Sequence, residues 1–168
     1  MLATALSAQI EVTHLFSKGL AATGFGAFLR VGIPIPSQDE ISGELGFQYF
    51  STSGHNLLVL PLLVGYRHYF GGKGSGIYLE PTAGYSFGAS DIQKTDANGS
   101  GLYDDLGHAV DLKVSGLTAG LGVGYLIPNF PLNIGFRYLR LFVSGDPSQN
   151  IISFRAAYAL GAAHRSKK

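Results

Sequence analysis

Between Leu58 and Ser90 the chain alternates apolar residues with small or polar ones, on either side of the glycine-rich run Gly71-Gly72-Lys73-Gly74-Ser75-Gly76. Before the glycines, every second residue is apolar or aromatic: Leu58, Leu60, Leu62, Val64, Tyr66, His68 and Phe70, with only the histidine breaking the set. After them the same spacing gives Ile77, Leu79, Pro81, Ala83, Tyr85 and Phe87. The intervening positions hold Gly65, Arg67 and Tyr69, then Glu80, Thr82, Gly84, Ser86 and Gly88. Side chains alternate across a strand with period two. The pattern therefore predicts a hairpin with one apolar face and one small, polar face.

The same rhythm runs along the whole chain. Strand one is expected near Gln9–Phe16, strand two at about Ala21–Ile35 and strand three at about Ile41–Thr52. The hairpin supplies strands four and five. Strand six is expected at about Asp111–Leu126, strand seven at Leu132–Val143 and strand eight at Ile151–Leu160. The segment Pro34–Asp39 ends strand two, because proline cannot donate to a ladder. Turns fall at Ser17–Gly19, Ser53–Asn56, Pro128–Pro131 and Ser144–Gln149. The long polar segment Asp91–Val110 reads as a loop. No helical period of useful length occurs.

Composition sharpens this picture. Of 168 residues, 24 are glycine, and charged residues make up only 14%. That is well below the roughly 25% of average soluble domains. A glycine in a helix interior costs roughly 1 kcal/mol relative to alanine, so this content argues for strands. The net charge of +1 points to no electrostatic partner. No basic run lies inside the chain, which argues against nucleic-acid binding. The absence of cysteine excludes a disulfide scaffold and a thiolate metal site. No apolar run reaches the roughly 18–20 residues of a transmembrane helix. Residues 1–8 are expected to be the remnant of a secretory signal peptide, a reading compatible with their also beginning strand one. Residues 9–162 form the expected barrel, and 163–168 a short basic tail.

The mid-strand charges are Glu11, Arg30, Glu44, Arg67, Glu80, Arg137 and Arg155, and all lie on the glycine-rich face. A soluble lipocalin-like barrel would turn that face to water. Soluble exteriors usually carry roughly 25–35% charged residues, and no lysine lies mid-strand here. The inverse arrangement accounts for more. The apolar set faces lipid, and the charges fill the narrow lumen of an eight-stranded antiparallel up-and-down transmembrane β-barrel, where they pair. Closure satisfies every backbone group, as lipid demands. Phe16, Tyr49, Phe70, Tyr78, Tyr125 and Phe130 near strand ends suit interfacial girdles, while ordinary core packing is the better reading of any one of them taken alone. With periplasmic termini, the long segment falls outside and the Pro128–Pro131 turn falls inside, matching the usual pattern of long external loops and short periplasmic turns.

The run LPLLVGYRHYFGGKGSGIYLEPTAGYSFG resembles the small OmpA/OmpX-like, "porin family" outer-membrane β-barrel proteins of Gram-negative bacteria. The resemblance covers essentially the whole chain and concerns architecture. It implies a location in the bacterial cell outer membrane, contact with outer-membrane lipid, insertion by the β-barrel assembly machinery, a monomer, and no cofactor. Such barrels often end on an aromatic residue. Here Phe154 and Tyr158 lie in the last strand, but Ala162–Lys168 follows them.

The function expected is non-enzymatic: structural, or adhesion and binding through the external loops, with the lumen plugged by side-chain ion pairs. The alternatives are a narrow porin-like channel for small solutes and the soluble lipocalin-like binder. Asp96, Asn98, Tyr103, Asp104 and Asp105 are the external-loop candidates. The spacing Asp96-x-Asn98-x-Ser100-Gly101 is that of the first half of a calcium loop, but the closing position is Gly107, so a solvated loop and no metal is expected. The five histidines (His14, His55, His68, His108 and His164) show no metal-ligand spacing. Ser53 and His55 imitate the Ser/His surface site of lipid A enzymes, without a surrounding motif.

Overall fold

The computed structural model describes residues 5–17, 20–36, 39–52, 55–71, 76–90, 114–144 and 147–160. Eight strands follow in chain order: β1 (Ala5–Ser17), β2 (Leu20–Pro34), β3 (Asp39–Thr52), β4 (His55–Tyr69), β5 (Gly76–Ser90), β6 (Gly116–Leu126), β7 (Leu132–Phe142) and β8 (Gln149–Leu160). Each pairs antiparallel with its sequence neighbours, and β1 pairs with β8, closing the sheet into a barrel. Closure leaves no unpaired strand edge. At 11 to 15 residues, every strand is long enough for the roughly 9–11 needed to cross a bilayer at a tilt.

One end of the barrel is where β1 starts and β8 stops; we call it the near end. The turns from β2 to β3, β4 to β5 and β6 to β7 are also there. The far end carries the β1–β2, β3–β4, β5–β6 and β7–β8 connections. The β6–β7 turn at the near end is tight. Asn129 takes the left-handed conformation (φ 61°) in the Pro128–Pro131 turn, where Ile127 donates its N–H to the Leu132 carbonyl at 3.0 Å. At the β4–β5 turn Gly76 has φ 83°, which glycine adopts without strain.

The two faces separate as the alternation predicts. Ile10, Val12, Phe25, Leu29, Leu45, Leu62, Val64, Leu117 and Phe136 are among the exposed large apolar side chains on the outside. Glu11, Arg30, Glu44, Arg67, Glu80, Arg137 and Arg155 are all buried inside. The sheet is apolar outward and charged inward.

Several expected boundaries move. β1 begins at Ala5 rather than Gln9, because Ala5–Ala8 continue the ladder against β2 and Leu6–Ala8 that against β8. β3 begins at Asp39, two residues earlier than expected, and β8 begins at Gln149. The described part of β6 begins at Gly116. Of the aromatics near strand ends, one takes the core position rather than the girdle. Tyr78 is fully buried, not at a girdle. It shares the parity of Glu80 and therefore points inward. Phe16, Phe70, Tyr125 and Phe130 are exposed, and Tyr49 is half-buried.

Candidate functional site: the charged lumen

Register brings the charges together. Across neighbouring strands Glu11 sits opposite Arg155, Arg30 opposite Glu44, and Glu40 opposite Arg67. The ion pairs then reach across the lumen. Arg137 on β7 meets Glu44 on β3, the strand diametrically opposite, at 2.5 Å, and Glu11 on β1 at 2.5 Å. Glu80 on β5 is the hub. Its carboxylate accepts from Arg30 Nη2 at 3.0 Å, Arg67 Nη2 at 2.9 Å and Arg155 Nη2 at 2.5 Å. Ser42 Oγ donates to it at 3.4 Å. Glutamines link the network: Gln9 Nε2 donates to Glu44 at 3.3 Å and Gln48 Nε2 to Glu11 at 3.2 Å.

All seven predicted lumen residues belong to this cluster, and an eighth joins them. Glu40 is buried and forms an ion pair with Arg30. The expected turn through Asp39 hid it; the early start of β3 gives it the inward parity of Ser42 and Glu44. Among the described residues the interior then holds four glutamates and four arginines. Charge balance matters because a buried charge without a counter-charge costs several kcal/mol.

Aromatic rings support the guanidinium groups. Arg67 lies over the Tyr78 ring at 4.0 Å and Arg137 over Phe28 at 4.3 Å. The Tyr78 hydroxyl donates to Asn133 Oδ1 at 2.6 Å and accepts from Arg155 Nη2 at 3.2 Å. The inward glycines make the space for these groups. A Cβ at Gly122 would stand 2.8 Å from Arg155 Nη2, and one at Gly135 would stand 3.1 Å from the Tyr78 hydroxyl.

Towards the far end the lining changes character. Leu15, Ala22, Phe50, Leu57, Val59, Leu63, Val114, Leu139 and Ile151 form one buried apolar cluster inside the barrel. The alternation of one apolar face does not predict it. The signal was nonetheless present in runs where both parities are apolar, such as Leu57–Val64 and the pairs Leu15-Phe16, Tyr49-Phe50 and Ile151-Ile152.

On the outside, the charged residues described lie near the two rims. Arg140 is exposed near the far end of β7, with Phe142 beneath its guanidinium at 5.3 Å. Asp39 opens β3 at the near end. Tyr66 donates its hydroxyl to Asp39 Oδ2 at 2.6 Å, and His68 Nδ1 lies 2.6 Å from Oδ1. His14 Nδ1 lies 3.1 Å from Thr23 Oγ1 on the outer surface. Asp96, Asn98, Tyr103, Asp104, Asp105, Ser53 and His108 lie outside the described residues, as does the side chain of His55. Among the described residues no group of three or more His, Cys, Asp or Glu is placed to hold a metal ion.

Several solved structures that match this chain are outer-membrane barrels. Neisserial surface protein A matches over 94% of this chain and 97% of its own, with a TM-score of 0.57 and 13% identity. Ail, the attachment invasion locus protein of Yersinia pestis, matches over 94% and 97% with a TM-score of 0.65 and 13% identity. The outer membrane enzyme PagL matches over 94% and 100% with a TM-score of 0.53 and 15% identity. The chain thus has the closed eight-stranded fold of outer-membrane β-barrels. At these identities the likeness is one of fold. No family model and no curated protein matches the sequence.

Proposed function

We propose that this protein is an integral protein of the bacterial outer membrane with a non-enzymatic role, either structural or in adhesion and binding through its far-end connections. Residues 91–113 are the longest of these, and they include the loop candidates Asp96 to Asp105. The observation that carries the reading is the inversion of the sheet: an outer surface of exposed Ile, Leu, Val and Phe around eight inward-facing charges among the described residues. A soluble barrel gains nothing from that arrangement, because water would meet the apolar shell and the charges would lose their hydration. In lipid the same shell is the favoured surface.

The lumen in this reading is closed by its own side chains, since eight strands leave an interior just wide enough for them. The protein is a monomer held by lipid, inserted by the barrel assembly machinery, and it uses no cofactor or nucleic acid. The adhesion reading is supported by the likeness to Ail, whose name records attachment and which has been crystallised with the heparin analogue sucrose octasulfate.

Three measurements test this. Fractionation should leave the protein in the detergent-requiring outer-membrane fraction; recovery as a soluble monomer would sink the membrane reading. Unboiled, detergent-folded protein should migrate differently from boiled protein on a gel. Planar bilayers should show no defined single-channel steps; such steps, altered by neutralising Arg67 or Glu80, would establish the narrow channel instead.

A further inference from the structure

We propose that the lumen is stratified, with an apolar tier near the far end that blocks ions and a hydrated polar tier behind it, so that the ion pairs fix the barrel's shape without being its seal. This rests on the closed-lumen reading above and goes further by naming which side chains close it.

Side chains from six of the eight strands build the apolar tier. Leu15 on β1 faces Ala22 on β2 and Ile151 on β8. Leu139 on β7 faces Ile151 from the other side. Phe50 on β3 faces Leu57 on β4. Leu15 and Phe50 have no exposed surface, and Leu57 and Leu139 have 1% each. The charged hub at Glu80 lies nearer the opposite end, so the tier stands between it and the far-end rim. An ion crossing it would exchange its hydration shell for hydrocarbon. That is the physical basis on which apolar constrictions gate channels by excluding water.

The middle of the lumen is different. Thr13 Oγ1 and Ser153 Oγ, on residues opposed across the β1–β8 seam, are buried without a hydrogen-bond partner in the protein. The same holds for Gln9 Oε1 and Gln48 Oε1, although the amide nitrogens of both glutamines are engaged with glutamates. The large majority of buried side-chain polar atoms are paired, with protein or with water. These hydroxyl and amide oxygens lie beside a balanced set of charges, so the group that suits them is water, which both donates and accepts. A hydrated tier of this kind conducts ions once the layer in front of it is opened. Neutralising an ion pair behind an intact apolar layer does not open the path.

The experiment compares three proteins in planar bilayers: the natural chain, Glu80→Gln, and Phe50→Ala combined with Leu139→Ala. The natural chain and Glu80→Gln should be silent, while the double variant shows single-channel steps. Silence from the double variant, or steps from Glu80→Gln, overturns the apolar seal. Steps from the natural chain overturn the closed-lumen reading itself. Because the double variant loses core volume, Ser153→Cys supplies a second readout. The chain has no cysteine of its own, and this substitution is nearly isosteric. Its thiol should be protected from a charged thiol reagent in the otherwise natural chain. Adding the single change Leu139→Ala should raise its reaction rate by more than an order of magnitude. An unprotected thiol in the otherwise natural chain would count against the seal, as would a rate unmoved by Leu139→Ala.

Discussion

Removing the carboxylate of Glu80 is the sharpest perturbation of the lumen. Glu80 has no exposed surface, and its two oxygens face Arg30, Arg67 and Arg155 at 3.0, 2.9 and 2.5 Å. At an effective dielectric constant of about 20, each contact near 3 Å corresponds to roughly 5 kcal/mol of gross attraction. Most of that sum is offset. Glu80→Ala removes the desolvation cost of the carboxylate, and two of the three arginines keep other carboxylate partners. Arg30 retains Glu40 and Glu44, and Arg155 has Glu44 at 4.0 Å. What remains is an interior with four arginines and three glutamates, one positive charge in excess. The expected net loss is about 3–5 kcal/mol, as for other broken buried pairs.

The assay is equilibrium unfolding in urea of the barrel folded into vesicles, followed by circular dichroism, since the chain has no tryptophan to report by fluorescence. The decisive comparison is a double-mutant cycle with Arg67→Met. That change restores charge balance, so the double variant should cost less than the sum of the singles by roughly 1–3 kcal/mol. Two results would refute the reasoning: a loss below about 1 kcal/mol for Glu80→Ala, or additivity within about 0.5 kcal/mol.

Four further outcomes follow from the same geometry. Leu45 is 59% exposed at the middle of β3, so Leu45→Lys should cost about 2–4 kcal/mol in a bilayer; a neutral result would indicate that this face meets water. Gly122→Ala places a methyl 2.8 Å from Arg155 Nη2 and should destabilise by about 1–3 kcal/mol. Gly43→Ala, whose Cβ meets nothing within 4 Å, should stay within about 0.5 kcal/mol by the same unfolding measurement. Tyr78→Phe removes the hydroxyl between Asn133 and Arg155 and should cost about 1–3 kcal/mol; an unchanged urea midpoint would show that Asn133 finds another donor.

The strand count and the orientation of the faces were legible because a two-residue period survives in every strand, and because seven charges share one parity. A strand's parity is local information, fixed by the pleat. Pairing is not. Arg155 is bonded to Glu80, 75 residues away, and that choice depends on how far the register shears when β1 meets β8. Nothing local distinguishes Glu80 from Glu11, which is Arg155's direct cross-strand neighbour. Glu40 was missed for a different reason. Pro34 and Pro36 argued for a turn extending through Asp39, whereas β3 starts at Asp39 and carries Glu40 inward.

Tyr78 and the apolar tier trace to one assumption, that an aromatic or aliphatic residue in a membrane strand belongs on the lipid side. The assumption holds where the opposite parity is polar. It fails where both parities are apolar, because then one of the two sets must be inside. In β4 the run Leu57–Val64 carries Leu57, Val59 and Leu63 inward and Leu58, Leu60, Leu62 and Val64 outward. The rest of β4 turns Arg67 inward beside Glu80. A single strand therefore records both tiers in order, apolar at its far-end start and charged at its near-end finish. A barrel sealed only by ion pairs would need no doubly apolar segment. The recurrence of adjacent apolar pairs on β1, β3 and β8 (Leu15-Phe16, Tyr49-Phe50 and Ile151-Ile152) places apolar residues inward at the same end. The hairpin read first for its alternation is most informative where that alternation stops.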